Sequence, residues 1–476
     1  MNTFLQKANN AIELARKKTE NFLYGYTFPI LLTLITLVFW VANLQFVGFS
    51  VLVLTVSFVL ITERDAMPLL MGVMLLPTSF NDSNLAFQTH LPLLIVILAV
   101  LGISALFHLI KYPVKKFYFD KVSIALLFVI FAYIIGGLFS GYYHLFFTEL
   151  SPLLIAGFSV LALHSYLGNY IEVKKNYDYR KYFCICFIIL ANSSCFQLLF
   201  PMLKQILLST SLQNSQGYLA WANSNTIANL VIMAVPLCCY VMLSSKKIYL
   251  WFIQLVFFYG AVLLSKSDGC LASLLALTPF LMIITYKYSN IDNKKLLKVF
   301  FSLLIAGAII VMFAICLLKW ELIAAFIETA TNGTSRKLLY GIAAQAFFLF
   351  PVFGVGVGGA KHLIGEYISS GLIEAQVFFF FHSSLFQIIA CLGLFGLGAY
   401  VYYYCARFKH LAKNDTVLGT FAIVSLVLFS AYAMIDTSEF VIVVLYMTII
   451  ITFTGLTNTN GSDDKPLPLS IKRFNF

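Results

Sequence analysis

Residues Leu91–Ile110 read LPLLIVILAVLGISALFHLI, twenty positions without Asp, Glu, Lys or Arg, and Lys111 follows. A helix rises about 1.5 Å per residue, so this run covers the roughly 30 Å of a bilayer's hydrocarbon. Comparable runs recur along the chain. Of its 476 residues 61% are hydrophobic and 11% charged, with a mean hydropathy of +0.91. A soluble domain carries about 25% charged residues. The runs are continuous and do not alternate with period two, which argues against membrane β-strands. The expected fold is all-α: a polytopic helical membrane protein with about 12–14 transmembrane helices. One integral domain is expected over residues 27–456.

The spans drawn this way are Thr27–Leu44, Phe46–Ile61, Ala66–Phe80, Leu91–Ile110, Val122–Ser140, Leu150–Gly168, Phe183–Phe200, Asn223–Leu243, Ile248–Leu264, Cys270–Tyr286, Val299–Leu318, Ser384–Cys405, Val417–Met434 and Phe440–Gly455. A second reading has about twelve, because Ala66–Phe80 is short and carries Pro68 and Pro77. With the N-terminus inside, the inner segments hold all Lys and Arg except Lys204, Lys266, Lys319, Arg336, Lys337 and Lys361. This is the bias that orients membrane proteins. It accounts for the net charge of +11 without a nucleic-acid partner. Both termini are expected in the cytoplasm. Residues 1–26 are polar with an amphipathic pattern (Phe4, Ala8, Ile12, Ala15) and suit an interfacial helix. Residues 457–476 are a polar tail. The nine cysteines show no CxxC and no Cys/His ligand spacing, so they read as small core hydrophobes and no metal site is expected.

Chemistry concentrates in one outer segment, residues 319–381. Asn332-Gly333-Thr334-Ser335 is a turn and helix-cap signal, and an apolar helix is expected from Ser335 to Phe350, stopped by Pro351. Arg336 lies in its first turn, where free backbone N–H groups favour an anion, and Lys337 is beside it. Tyr340 is one turn on, on the same face. Then comes Pro351-Val352-Phe353-Gly354-Val355-Gly356-Val357-Gly358-Gly359. No strand precedes these glycines, so they are not a nucleotide fingerprint. They suit a sharp bend and close approach to a ligand or a neighbouring helix, or tight packing alone. His382 opens the next span as a candidate acid, base or phosphate ligand. Lys361, His362, Glu366 and Glu374 read as ordinary solvated charges.

Together these residues resemble the O-antigen ligase and polymerase family of bacterial membrane glycosyltransferases. The features that match are Arg336 opening an apolar helix, Pro351 to Gly358, His382-Ser383, and Gly393-Leu394-Phe395-Gly396 in the following span. Upstream, Trp221 to Asn225, with Ala228 following, resembles the family's entry to the eighth span. One departure is the outer turn Ser265-Lys266-Ser267-Asp268-Gly269, where many members carry Arg before Gly; here Asp268 stands there and Lys266 precedes it.

The resemblance implies an enzyme of the bacterial inner membrane. Its substrate would be a glycan on undecaprenyl diphosphate, transferred with inversion, without metal or other cofactor, to a lipid-linked acceptor sugar by a polymerase. A ligase would transfer it to lipid A-core or another terminal acceptor. Arg336 and His382 would be catalytic. Lys266, Lys337, Tyr340, Asn225, Gly354, Gly356 and Gly358 would bind substrate. A flippase and a chain-length regulator are candidate partners. A transporter of lipid-linked sugars is the reading from another class; it calls for mid-span ionisable residues and paired repeats.

The lysine bias predicts that residues 319–381 face away from the cytoplasm. A single cysteine at Glu366, in a cysteine-free background, is expected to react with an impermeant thiol reagent in intact spheroplasts. Labelling only after the membrane is broken would reverse the orientation.

Overall fold

The computed structural model describes residues 17–79, 91–114, 117–142, 146–171, 178–207, 224–245, 247–318, 334–369, 381–413, 417–437 and 442–454. The expected interfacial helix before residue 17, the tail, and segments 319–333 and 370–380 lie outside the described residues. Among those described the fold is all-helical. The helices are α1 (Thr27–Val41), α2 (Gln45–Thr62), α3 (Leu69–Leu75), α4 (Leu91–Lys111), α5 (Lys121–Ile135), α6 (Phe146–Tyr170), α7 (Tyr179–Leu207), α8 (Ser224–Leu243), α9 (Ile248–Leu264), α10 (Asp268–Tyr288), α11 (Ile291–Leu318), α12 (Thr334–Leu349), α13 (Gly356–Ser369), α14 (Ser384–Lys413), α15 (Val417–Ala433) and α16 (Ile442–Thr454). Among the described residues, six stretches are long and apolar enough to cross a membrane, including Gln45–Thr62, Ser224–Leu243 and Ser384–Ala412. Other apolar helices are shorter, such as Lys121–Ile135 and Val417–Ala433.

The chain divides into two compact units. The first comprises Met1–Tyr118, Tyr166–Val241 and Gly260–Ser267; the second comprises Phe119–Ser165, Met242–Tyr259 and Asp268–Phe476.

In the first unit, helix-end chemistry sets the direction of the chain. The last carbonyls of any helix lack partners within it. At the end of α2 they are taken by one face of α4: His108 Nδ1 donates to Leu60 O at 2.7 Å, Lys111 Nζ to Ile61 O at 2.8 Å, and the Tyr112 hydroxyl to Thr62 O at 3.2 Å. Positive charge there also complements the helix dipole. The two C-termini therefore share a level, and α2 and α4 run parallel. The chain between them must return to the other end. The described part of that connection is Ala66–Ser79, with the seven-residue α3 and a 3-10 turn at Pro77–Ser79. Seven helical residues rise only about 10 Å, so the third apolar run is not one full helix. Such irregular backbone is tolerated at depth when it is buried in protein. Ala66 N–H donates to Tyr170 O at 2.8 Å, and Gln197 Nε2 donates to Thr78 O at 3.0 Å. Asp65 is 2% exposed and accepts from the Tyr24 hydroxyl and Met67 N–H.

In the second unit, α12 forms where expected and ends one residue before Phe350. Its buried face, Leu339, Ile342, Ala343 and Ala346, joins the same core as α5, α13 and α14. The glycine stretch does two things. Gly354 and Val355 make the turn, and Gly356 opens α13, a helix that the glycine-rich sequence did not announce.

That turn is wedged between two helix interruptions. The helix α14 is broken at Gly393 (φ 63°, ψ −157°), and α5 ends at Gly136 and Gly137. The amides and carbonyls released by the break pair with the turn: Val355 N–H to Ala390 O at 2.9 Å, Leu394 N–H to Pro351 O at 2.8 Å, and Phe395 N–H to Val352 O at 3.1 Å. Gly137 N–H donates to Phe353 O at 3.1 Å. Side chains have no room here. A Cβ on Gly354 would sit 2.3 Å from the carbonyl carbon of Cys391, and one on Gly393 would sit 2.5 Å from Val352 O. Both have positive φ, as does Gly137.

Gly354→Ala and Gly393→Ala are each expected to cost at least about 1–3 kcal/mol from backbone strain, with the clash in addition. They should lower the melting temperature or abolish accumulation. Gly341→Ala, inside α12 with open space at its Cβ, should be neutral or stabilising by up to about 1 kcal/mol. Equal stability of all three variants in detergent would overturn the steric account.

Candidate functional site

His382 occupies a left-handed backbone position (φ 49°) just before α14. This is uncommon for a residue with a Cβ, and the surroundings hold it. Phe381 N–H donates to Gln387 Oε1 at 2.9 Å, from the first turn of α14. The Tyr340 hydroxyl donates to His382 O at 3.4 Å, and the Tyr340 ring stacks on Phe386 with centroids 4.4 Å apart and planes 10° apart. Tyr340, expected to bind substrate, thus joins α12 to the histidine turn.

The imidazole faces a carboxylate. His382 Nδ1 lies 3.5 Å from Asp436 Oδ1. Asp436 follows α15 and is held by several donors. The Tyr432 hydroxyl donates to Oδ2, and Thr437 N–H donates to Oδ1 at 2.8 Å. The Asp436 carbonyl accepts from Ser384 N–H at 3.0 Å and from Ser384 Oγ at 3.1 Å. The start of α14 and the end of α15 are therefore tied through one residue. Burial pushes the Asp436 carboxyl up, but the hydrogen bonds from His382, Tyr432 and Thr437 and the charge of His382 outweigh it, leaving it below the ordinary aspartate value. A neighbouring strut comes from α10: Gly269 lies against the Tyr432 ring, where an added Cβ would be 3.2 Å from it.

The sequence-derived candidates divide as follows. Arg336 is the third residue of α12, and its side chain lies outside the described residues. Lys337 is exposed beside it. Gly354 and Gly356 belong to the backbone turn, with Gly358 buried in the first turn of α13. Asn225 and Lys266 belong to the first unit. Asn225 is half-buried in the first turn of α8, and Lys266 is exposed with φ 55° in the turn after α9. Among the described residues no group of three His, Cys, Asp or Glu is placed to hold a metal ion. Asp436 is the residue that sequence reading missed. Its one trace is an acidic residue at the mouth of an apolar run, on the same expected side as His382.

Because its value is depressed in the folded state, Asp436 contributes stability that is present above the unfolded value near 4 and is lost as pH falls through the folded one. The melting-temperature gap between wild type and Asp436→Asn is therefore expected to be full at pH 7 and to narrow below about pH 4. A gap that is constant with pH would mean the carboxylate is not stabilised by these donors.

No curated protein matches the chain. The family model described as O-antigen ligase matches residues 252–401, about a third of the sequence. The matched stretch runs from α9 into α14 and includes Lys266, Arg336, the glycine turn and His382. It ends before Asp436. This match, over the stretch that carries most of the site, supports placing the chain in the O-antigen ligase and polymerase family.

Proposed function

We propose that this protein is a glycosyltransferase of surface-polysaccharide assembly that moves a glycan from undecaprenyl diphosphate to an acceptor hydroxyl. The observation that carries the proposal is the paired imidazole and carboxylate, His382 and Asp436, set beside α12, whose third residue is Arg336. Asp436 faces Nδ1 and so favours the tautomer with the proton there, which leaves Nε2 basic. In the reaction Nε2 takes the acceptor's hydroxyl proton. The acceptor oxygen bonds to the anomeric carbon from the side opposite the leaving group, and the bond from that carbon to the diphosphate oxygen breaks. The configuration inverts. The diphosphate leaves with the electron pair, and its growing charge is met by Arg336 and the free amides of the first turn of α12. The lipid diphosphate already activates the sugar, so no nucleotide is consumed. We assign the acceptor to another lipid-linked glycan, which makes the protein a polymerase; lipid A-core as acceptor would make it a ligase. The multi-pass helical fold suits a lipid-borne donor, and the inner membrane is the proposed location.

Arg336→Ala is expected to lower product formation about 10²–10³-fold, the usual cost of about 2.7–4 kcal/mol for one lost contact to a developing anion. Arg336→Lys should recover little, because an ammonium lacks the planar fork. His382→Ala should be severe and Glu366→Ala near wild type. Product would be measured from lipid-linked donor with purified protein, with EDTA present in a parallel reaction that should run equally well. Full activity of Arg336→Ala at normal accumulation would defeat the assignment.

A further inference from the structure

The end of the second unit opposite His382 holds another polar cluster. On α14, Tyr400, Tyr403, Arg407 and His410 recur every three or four residues and so share a face. Arg407 is 0% exposed. Facing this seam are Tyr133, whose hydroxyl is 2.8 Å from that of Tyr400, and Asp120, which caps α5. His164 Nε2 lies 3.1 Å from Asp120 Oδ1, and His410 Nδ1 lies 3.5 Å from Oδ2. Asp120 also accepts from Ser123 N–H at 2.9 Å. The carboxylate of the cluster is thus committed to the two histidines and the helix cap.

Arg407 is differently placed. Its Nε donates to Thr452 Oγ1 at 3.3 Å, and the Tyr403 and Tyr404 ring centroids lie 4.9 and 5.4 Å from its Cζ. Aromatic rings therefore lie against the guanidinium, and one of its edges is used. The remaining edge carries Nη1 and Nη2, both buried and without a hydrogen bond among the described residues. A guanidinium sealed in a membrane-embedded bundle is costly unless an anion compensates it. The open edge is the two-pronged one that fits two oxygens of a phosphate. A cavity of about 30 Å³ farther along the seam, lined by Tyr133, Tyr400 and Tyr403, is large enough for water.

We propose that Arg407 anchors a binding site for a phosphate group, supplied by a phospholipid headgroup or free in solution. The site is separate from the transfer chemistry, and its test does not depend on activity. Full-length protein purified in a neutral detergent would be melted with phosphatidylglycerol, and separately with sodium phosphate at matched ionic strength. Wild type is expected to gain a few degrees, as for any ligand that binds the folded state alone. Arg407→Met should gain none. Arg407→Lys, which keeps the buried charge, should need about tenfold more ligand for half of the shift. A gain with both probes identifies free phosphate as sufficient; a gain with phosphatidylglycerol alone identifies the headgroup as the source. No gain with either probe in wild type overturns the proposal, as does an equal gain in Arg407→Met. If that variant does not accumulate, an unchanged half-maximal concentration in Arg407→Lys overturns it.

Discussion

The second unit depends on backbone paired directly with backbone. A broken helix in an apolar bundle exposes amides and carbonyls that water cannot reach, and each is costly if left alone. The break in α14 at Gly393 is stable because the turn Pro351–Val355 supplies the missing partners. The turn is stable for the same reason in reverse. Neither can close unless both chains approach closer than a Cβ allows, and that requirement selects glycine at 354 and 393. Pro351 completes the arrangement by stopping α12 and leaving its carbonyl free for Leu394.

This lock positions the candidate site beside it. It fixes the first half of α14, which begins two residues after His382, against α12, whose third residue is Arg336. Tyr340 and Phe386 then bring α12 to the histidine turn. Asp436 ties α15 to the same turn through both its side chain and its carbonyl. The candidate base is held at its backbone by three elements, while its ring remains one-quarter exposed. Rigid support with an open face suits a group that must meet a substrate from outside.

Much of this was legible in the sequence, for identifiable reasons. Hydropathy yielded the helical class, because burial in lipid constrains composition over long stretches. Helix α12 was readable from a cap signal and a proline, both local. The glycine run announced close approach but not its object. Its partners at Gly137 and Gly393 are far away in sequence, so pairing was invisible. The return between the parallel helices α2 and α4 was hidden for the same reason: its direction is set by His108, Lys111 and Tyr112 reaching a helix end some fifty residues earlier. Asp436 was missed because a single carboxylate after a span carries no spacing rule. Arg407 was counted as one more inner positive charge, and only burial separated it from Lys409 two residues away.

The crossing at Gly354 and Gly393 has a consequence for how such a protein is written in sequence. Its bonds run between main-chain atoms, which every residue but proline possesses. Its steric demands fall on a few positions where the side chain must be absent. Val352, half-exposed beside them, contributes its carbonyl and nothing specific of its side chain. The information in the crossing is therefore sparse: a proline, a few glycines at fixed intervals, and silence between. Two chains could hold the same crossing, and the same site beside it, with few letters in common.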